Sequence, residues 1–507
     1  MGTSNGDDTG THRRSTGRSA GSSATGVPEP ADGGSRGTTA APGEVRLRRA
    51  LGLTGATMTS TGLAFAVIDY IAVVSVLTYA AGVSGWMAVM IAGLLVAVVA
   101  GVFAELNGLY PTAAGIRLYI SRALSERSAL VITFTYLTTV VLVIAADAFL
   151  IGSAIRHVVG GPPIAAYGWI IGLLVLAVVA NLFGVRLAGT VQTIVTLTVL
   201  VATFVLSVVS LFTVHASYPH PFGLFHGGIF HGLQALVFAI FLYAAFEWVT
   251  TGAEEVSRPA VITKALFIAP VLLFAVLGVF SLALAHAVSF SSSHGSAYPQ
   301  LLLGKAALGE VGTIWMLGAT VLAAMNTFNG GFLVASRFIY AAAREGLLPR
   351  VFSRLNIRAV PWAAVIALGV TSAVVAALVF ATKQWLLLVA VGSVLEAGIY
   401  AVAGYCVYAL RRKDRARERP FALKFATFFS VFSMVVFGVL ALVGAFSDPQ
   451  HPSHLSVLPA LVVVILAALS LLYVRAGVPR IRAKAEARSA ASRPRRRPPR
   501  ESPPSVA

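Results

Sequence analysis

Apolar residues run along this chain in blocks of about twenty, separated by short polar segments, from residue 54 to residue 475. A helix needs about twenty residues, at ~1.5 Å each, to cross ~30 Å of hydrocarbon. Each block therefore predicts one transmembrane helix. Twelve spans result, at 54–81, 84–104, 129–155, 164–182, 188–213, 231–251, 264–289, 312–342, 361–381, 384–410, 422–446 and 455–475. The first and eighth are longer than one upright helix needs, so each is tilted, broken, or continued as helix outside the bilayer. The pattern predicts an all-α integral membrane protein of about 12 transmembrane helices.

The polar segments carry the orientation. Of 38 Lys and Arg residues, only Arg156, Lys305 and Lys383 fall on one side of this layout; Arg337 lies within span 8, and the other 34 fall in the tails, alternate loops and bordering span ends of the opposite side. Positive charge resists translocation, so the basic side is expected to be cytoplasmic, with both termini there and the protein in the plasma membrane. Three regions follow: a Gly/Ser/Thr-rich disordered tail over 1–45, a membrane domain over 46–476 and an Arg/Pro-rich disordered tail over 477–507. No cleavable signal peptide is expected, since residues 1–45 lack an apolar core.

Composition narrows the picture. With 57% hydrophobic and 11% charged residues, the chain is excluded as an ordinary soluble protein. The net charge of +18 points to anionic lipid headgroups as partners of the basic tails rather than to nucleic acid, because no soluble module accompanies it. Cys406 is the single cysteine, which excludes an internal disulfide and paired-thiol metal sites. The spacing His215, His220, His226, His231 contains no His-x₃-His pair, so neither a metal site nor a cofactor is expected.

Four acids lie inside spans: Asp69, Asp147, Glu247 and Glu396. An Asp at the bilayer centre costs ~2.5–3.5 kcal/mol, so such residues are retained for a reason. They are candidates for carrying a coupling proton or neutralising a substrate amine; the alternative is that each is hydrogen-bonded between helices. Glu105, Glu254 and Glu255 are expected at the basic surface, paired with its loops. Asn326, Thr327 and Asn329 in span 8 could face substrate or a sodium ion, or hydrogen-bond between helices.

Four stretches stand out: Ala104-Glu105-Leu106 with Tyr110-Pro111-Thr112-Ala113-Ala114-Gly115 and Tyr119; Asn181-Leu182-Phe183-Gly184-Val185-Arg186; Phe241-Leu242-Tyr243-Ala244-Ala245-Phe246-Glu247 with Glu254-Glu255-Val256-Ser257-Arg258-Pro259; and Ser336-Arg337 through Ala343-Arg344-Glu345-Gly346-Leu347-Leu348-Pro349 to Pro361. Together, in this order, they resemble the amino acid–polyamine–organocation (APC) superfamily of permeases. The resemblance implies the leucine-transporter architecture, a 5+5 inverted repeat plus two C-terminal helices. It also implies helices 1 and 6 interrupted near the midplane, with substrate held at the breaks.

In that family the amides of a Gly-Ser-Gly-Ile-Phe segment on helix 1 receive the substrate carboxylate. Here Ser60-Thr61-Gly62 is the nearest match, while an ungapped count back from Gly85-Trp86 lands near Phe65–Asp69. Helix 6 contributes Phe241, at the family's aromatic gate, with Tyr243, Ala244 and Ala245; Ala245 stands where the family usually has Gly. Span 5 has no Lys, so the lysine amine that couples protons in some relatives is missing. The implied function is a secondary transporter, not an enzyme, moving amino acids or related amines with H⁺ or counter-substrate coupling. No nucleotide motif is present. The alternative is a non-transporting sensor or partner-binding protein on the same fold.

Overall fold

The computed structural model describes residues 51–79, 85–214, 228–256, 258–288, 298–448 and 454–481, with 296 and 483. The expected N-terminal tail, residues 484–507 and His215, His220, His226, His294 and His451 lie outside these. Among the described residues the architecture is all-helical. Span 1 is two helices, α1 (Leu53–Ala64) and α2 (Val67–Tyr79); α3 (Gly85–Leu109) is span 2 and α4 (Gly115–Ala123) a connecting helix. Then come α5 (Glu126–Val159), α6 (Pro163–Leu182) and α7 (Val185–Thr213) as spans 3 to 5. Span 6 is α8 (Gly228–Phe241) followed by a 3-10 segment, Phe246–Gly252. The remaining spans are α9 (Ala260–Ala287), α10 (Pro299–Arg344), α11 (Trp362–Thr382), α12 (Trp385–Lys413), α13 (Ala426–Ala445) and α14 (Leu458–Leu472).

Among the described residues eleven helices are long and apolar enough to cross a membrane, and α1 with α2, bent by 52°, makes a twelfth if the pair is one span. Both over-long blocks of the sequence have a structural explanation. The first is broken at Phe65–Ala66. The eighth runs unbroken within α10, whose one departure from helical geometry, at Leu308 and Gly309 (φ +62°), lies before it, so its extra length is continuous helix. The last helical run continues to Ile481, past the expected boundary at 476.

Burial sorts the spans into a centre and a rim. Span 6 is 72% buried inside the protein, whereas α13 and α14 are 28% and 11% buried. The rim helices turn Leu461, Val464 and Leu469 outward, as a lipid-facing helix must.

Ion pairs lock the basic end. Glu105, fully buried at the end of α3, takes a two-pronged pair from Arg411 at 2.8 and 2.7 Å and accepts Leu423 N–H at 2.9 Å. Arg337 of α10 pairs with Glu255, and Arg344 with Glu254 at 3.4 Å. Arg117 on α4 joins Glu126 and Glu345. Each of the three acids expected to pair at the basic end meets an arginine, but Glu105 and Glu255 are buried rather than at the surface, and Arg337 belongs to α10 rather than to a loop. Leu51 N–H also donates to the Glu255 carbonyl at 3.1 Å, tying the start of span 1 to the segment after span 6.

Candidate functional site

A helix broken inside a bilayer exposes amides and carbonyls that find no water, so something in the protein must satisfy them. At both breaks the partners come largely from side chains that look misplaced in the sequence. Ala66 N–H donates to Asp69 Oδ2 at 2.7 Å. Val67 and Ile68 N–H donate to Asp147 of α5 at 3.1 and 2.8 Å. In span 6, Ala245 N–H donates to Glu396 Oε1 at 3.0 Å, and the Phe246 carbonyl accepts from Ser60 Oγ at 2.6 Å. Each such bond contributes ~0.5–1.5 kcal/mol, and ~1.5–3 kcal/mol where the acid is ionised. Three of the four intramembrane acids thus hold interrupted backbone.

The break in span 6 is strained. Ala245 has φ +70°, a left-handed conformation that costs an L-residue roughly 1–2 kcal/mol. It stands at the position where the resemblance expects glycine. The chain therefore keeps the turn and pays in backbone strain.

Glu247, just beyond, meets Glu396 both directly and through a shared hydroxyl. Tyr136 of α5 contacts Glu247 Oε1 and lies 2.9 Å from Glu396 Oε2; Tyr400 of α12 donates to Glu247 Oε2 at 3.2 Å. Trp248 stacks on Tyr136 with centroids 5.1 Å apart. All four polar residues are fully or almost fully buried. A phenol has a single proton, so Tyr136 can donate to only one carboxylate. The other contact is favourable only when that acid carries a proton and donates to Tyr136. Two unit charges in contact would otherwise repel, by roughly 4 kcal/mol at an effective dielectric constant near 20. Among the described residues, no ion pair involves any of the four acids.

Between the breaks lies a cavity of about 20 Å³, room for about one water. Ala66, Ile68 and Asp69 line it from span 1, Thr139 and Val143 from α5, and Phe241, Ala244 and Ala245 from span 6. The site is closed in this state, and a solute needs it to widen. A larger cavity of about 380 Å³ lies at the rim, between the start of α5 and the helical run after α14, away from either break.

The candidate residues therefore separate. Asp69, Phe241, Ala244 and Ala245 share the cavity wall. Glu247 and Glu396 form the bridged pair, and Asp147 sits behind α2. Ser60 ties span 1 to span 6, and Tyr243 turns away to the Val89 carbonyl at 2.9 Å. Thr61 is buried with no partner for its hydroxyl among the described residues. Gly62 packs against an amide cluster in which Asn326 Oδ1 accepts from Gln192 Nε2 at 2.6 Å and lies 2.6 Å from Thr196 Oγ1. Asn329 donates to Gln192 Oε1 at 2.7 Å, and Asn181 donates to Asn329 at 2.9 Å. Asn326 and Asn329 thus serve helix–helix bonding here.

Tyr136, Thr139, Tyr400 and Gln192 were not singled out in the sequence. Gln192 could have been, as the one Gln in span 5. The tyrosines carried no such signal, because membrane aromatics are mostly packing.

Comparison with known proteins agrees with this geometry. The profile of the family described as amino acid permease matches residues 47–478. The cationic amino acid transporter 4, vacuolar, of Arabidopsis thaliana is 28% identical over 47% of this chain and 40% of its own length. A branched-chain amino acid permease of Lactococcus lactis subsp. cremoris is 28% identical over 53% of this chain and 58% of its own. The L-asparagine permease of Streptomyces coelicolor is 30% identical over 39% of this chain and 44% of its own. The matched region thus spans well under two thirds of each of these three relatives.

Proposed function

Because the chain belongs to the amino acid permease family, we propose that it is a secondary transporter carrying amino acids or related amines across the plasma membrane by alternating access. The observation that carries the reading is the closed cavity between two interrupted spans, walled by Asp69 and Phe241. Carriers of this kind hold solute where helices are discontinuous and expose it to one side at a time by rocking one bundle against the other. In this reading Asp69 meets the substrate amine, Phe241 covers it, and the backbone of Ala244 and Ala245 completes the wall. The ion pairs around Glu105, Arg337 and Arg117 hold the basic, cytoplasmic end shut in this state.

Proton coupling is assigned to the Glu247–Tyr136–Glu396 chain. With a proton on Glu247, the chain runs Glu247 to Tyr136 to Glu396, and Ala245 N–H supports the charged end. With the proton on Glu396 the chain reverses, and Tyr400 supports Glu247. Both arrangements satisfy every donor, so one proton can be held and exchanged where spans 3, 6 and 10 meet. Without it, Tyr136 satisfies one acid only, and the pair repels.

A second reading is a non-transporting sensor. Two facts favour it: the cavity is small, and the span 1 amides are already filled by the protein's own acids. Flux separates the two. Purified protein in proteoliposomes is expected to accumulate label from a radiolabelled mixture of L-amino acids and aliphatic amines when the outside is made acidic. Ligand binding with no flux above empty liposomes would establish the sensor instead.

A further inference from the structure

We infer that Asp147 is a specificity-determining residue: a built-in carboxylate that fills the anion site at the start of α2, so that the ligand enters as an aliphatic amine without a carboxylate of its own. The inference rests on reading the cavity between the breaks as the transport site. The start of a helix attracts anions because its first amides point outward unbonded and the helix dipole favours negative charge there. At α2 three such amides lie beside the cavity. Each already has an acid: Ala66 N–H has Asp69, while Val67 and Ile68 N–H share Asp147. Asp147 reaches them from α5, a separate element, and is 0% exposed.

What the cavity offers instead is suited to a cation. Asp69 Oδ1 has no hydrogen-bond partner among the described residues. Thr139, 1% exposed and lining the same cavity, likewise has a hydroxyl without a partner among them. At the span 6 wall the Ala244 N–H is taken by the Phe241 carbonyl and the Ala245 N–H by Glu396. Among the described residues no Lys, Arg or His lines the cavity. A ligand carboxylate entering here would meet the Asp69 carboxyl and only the Thr139 hydroxyl beside it, and would have to leave its own hydration behind. An ammonium group finds one acid oxygen and one hydroxyl, with Val140, Val143 and Phe241 to cover an alkyl chain.

The test uses pairs of ligands that differ only in the carboxylate: lysine against cadaverine, arginine against agmatine, ornithine against putrescine. Dissociation constants are measured calorimetrically on the full chain in detergent. In the wild type the amine of at least one pair is expected to bind at least tenfold more tightly than its amino acid. Replacing Asp147 by Ala frees the Val67 and Ile68 amides, so the ratio is expected to move at least tenfold toward the amino acid. The wild-type comparison needs no variant and can overturn the inference even if Asp147→Ala fails to fold, and a folded Asp147→Ala with an unchanged ratio overturns the assignment to Asp147. Equal or tighter binding of the amino acid in every pair that binds overturns the inference while leaving the transporter reading intact. No binding by either member of any pair overturns the reading of the cavity as a ligand site, and the inference with it.

Discussion

Replacing Gly62 by Ala tests the packing of span 1 against spans 5 and 8. A methyl group built on Gly62 would fall well inside contact distance of Gln192 Nε2, Thr196 Oγ1 and Asn326 Oδ1, which are bonded to one another. Intrinsic preference pulls the other way: Ala is favoured over Gly inside a helix by ~1 kcal/mol. Overpacking a filled site costs ~1–3 kcal/mol. Each buried hydrogen bond broken so that a polar group is left unpaired costs a further ~1–3 kcal/mol, and the methyl displaces at least two. The packing terms win, and Gly62→Ala is expected to destabilise by roughly 3–6 kcal/mol. Gly318, inside α10, has nothing within 4 Å of such a methyl. There only the helix preference remains, so Gly318→Ala is expected to be neutral or stabilising by up to ~1 kcal/mol. Thermal unfolding of both variants in one detergent, followed by tryptophan fluorescence, reads the contrast. Equal midpoints for Gly62→Ala and wild type would refute the amide cluster as a rigid contact.

Three further outcomes follow from the geometry. Ala245→Gly relieves the left-handed strain but frees the unfolded chain, so a net stabilisation of ~0.5–1 kcal/mol is expected; Ala244→Gly, outside the left-handed region, should lose a similar amount, and unfolding midpoints check both. Removing one partner of the buried Arg337–Glu255 pair, as in Arg337→Ala, is expected to cost ~3–5 kcal/mol, whereas the joint change Arg337→Met with Glu255→Leu should fold nearly as well as the wild type. Tyr136→Phe removes the hydroxyl between Glu247 and Glu396, so acid-driven uptake in proteoliposomes is expected to fall at least tenfold; uptake with unchanged pH dependence would detach that pair from coupling.

The helices were legible because hydrocarbon imposes one rule, twenty apolar residues per crossing, and nearly every block obeys it. Asp69, Asp147, Glu247 and Glu396 were legible for the opposite reason, since each violates the rule. Their partners were not. That Asp147 meets the amides of Val67 and Ile68, 80 and 79 residues away, depends on how α5 packs beside α2, which no local pattern encodes. The sequence also offered two places for the span 1 break, Ser60–Gly62 by motif and Phe65–Asp69 by counting. The chain turns at Phe65–Ala66, with Asp69 and Asp147 at hand to satisfy the exposed amides. Carboxylates and broken helices, separate features along the chain, prove to be one feature in space.

The claim that a solute passes between the two breaks is tested most directly by access to the cavity wall. Cys406 is buried and is the only cysteine, so Cys406→Ala provides a clean background for a single Ala244→Cys substitution. Membrane-impermeant thiol reagents are then applied to either face of oriented proteoliposomes. The account predicts modification from both faces during turnover, slowed by transported ligand. A residue 244 thiol that stays unmodified from both faces, while the protein remains folded and flux continues, would contradict it.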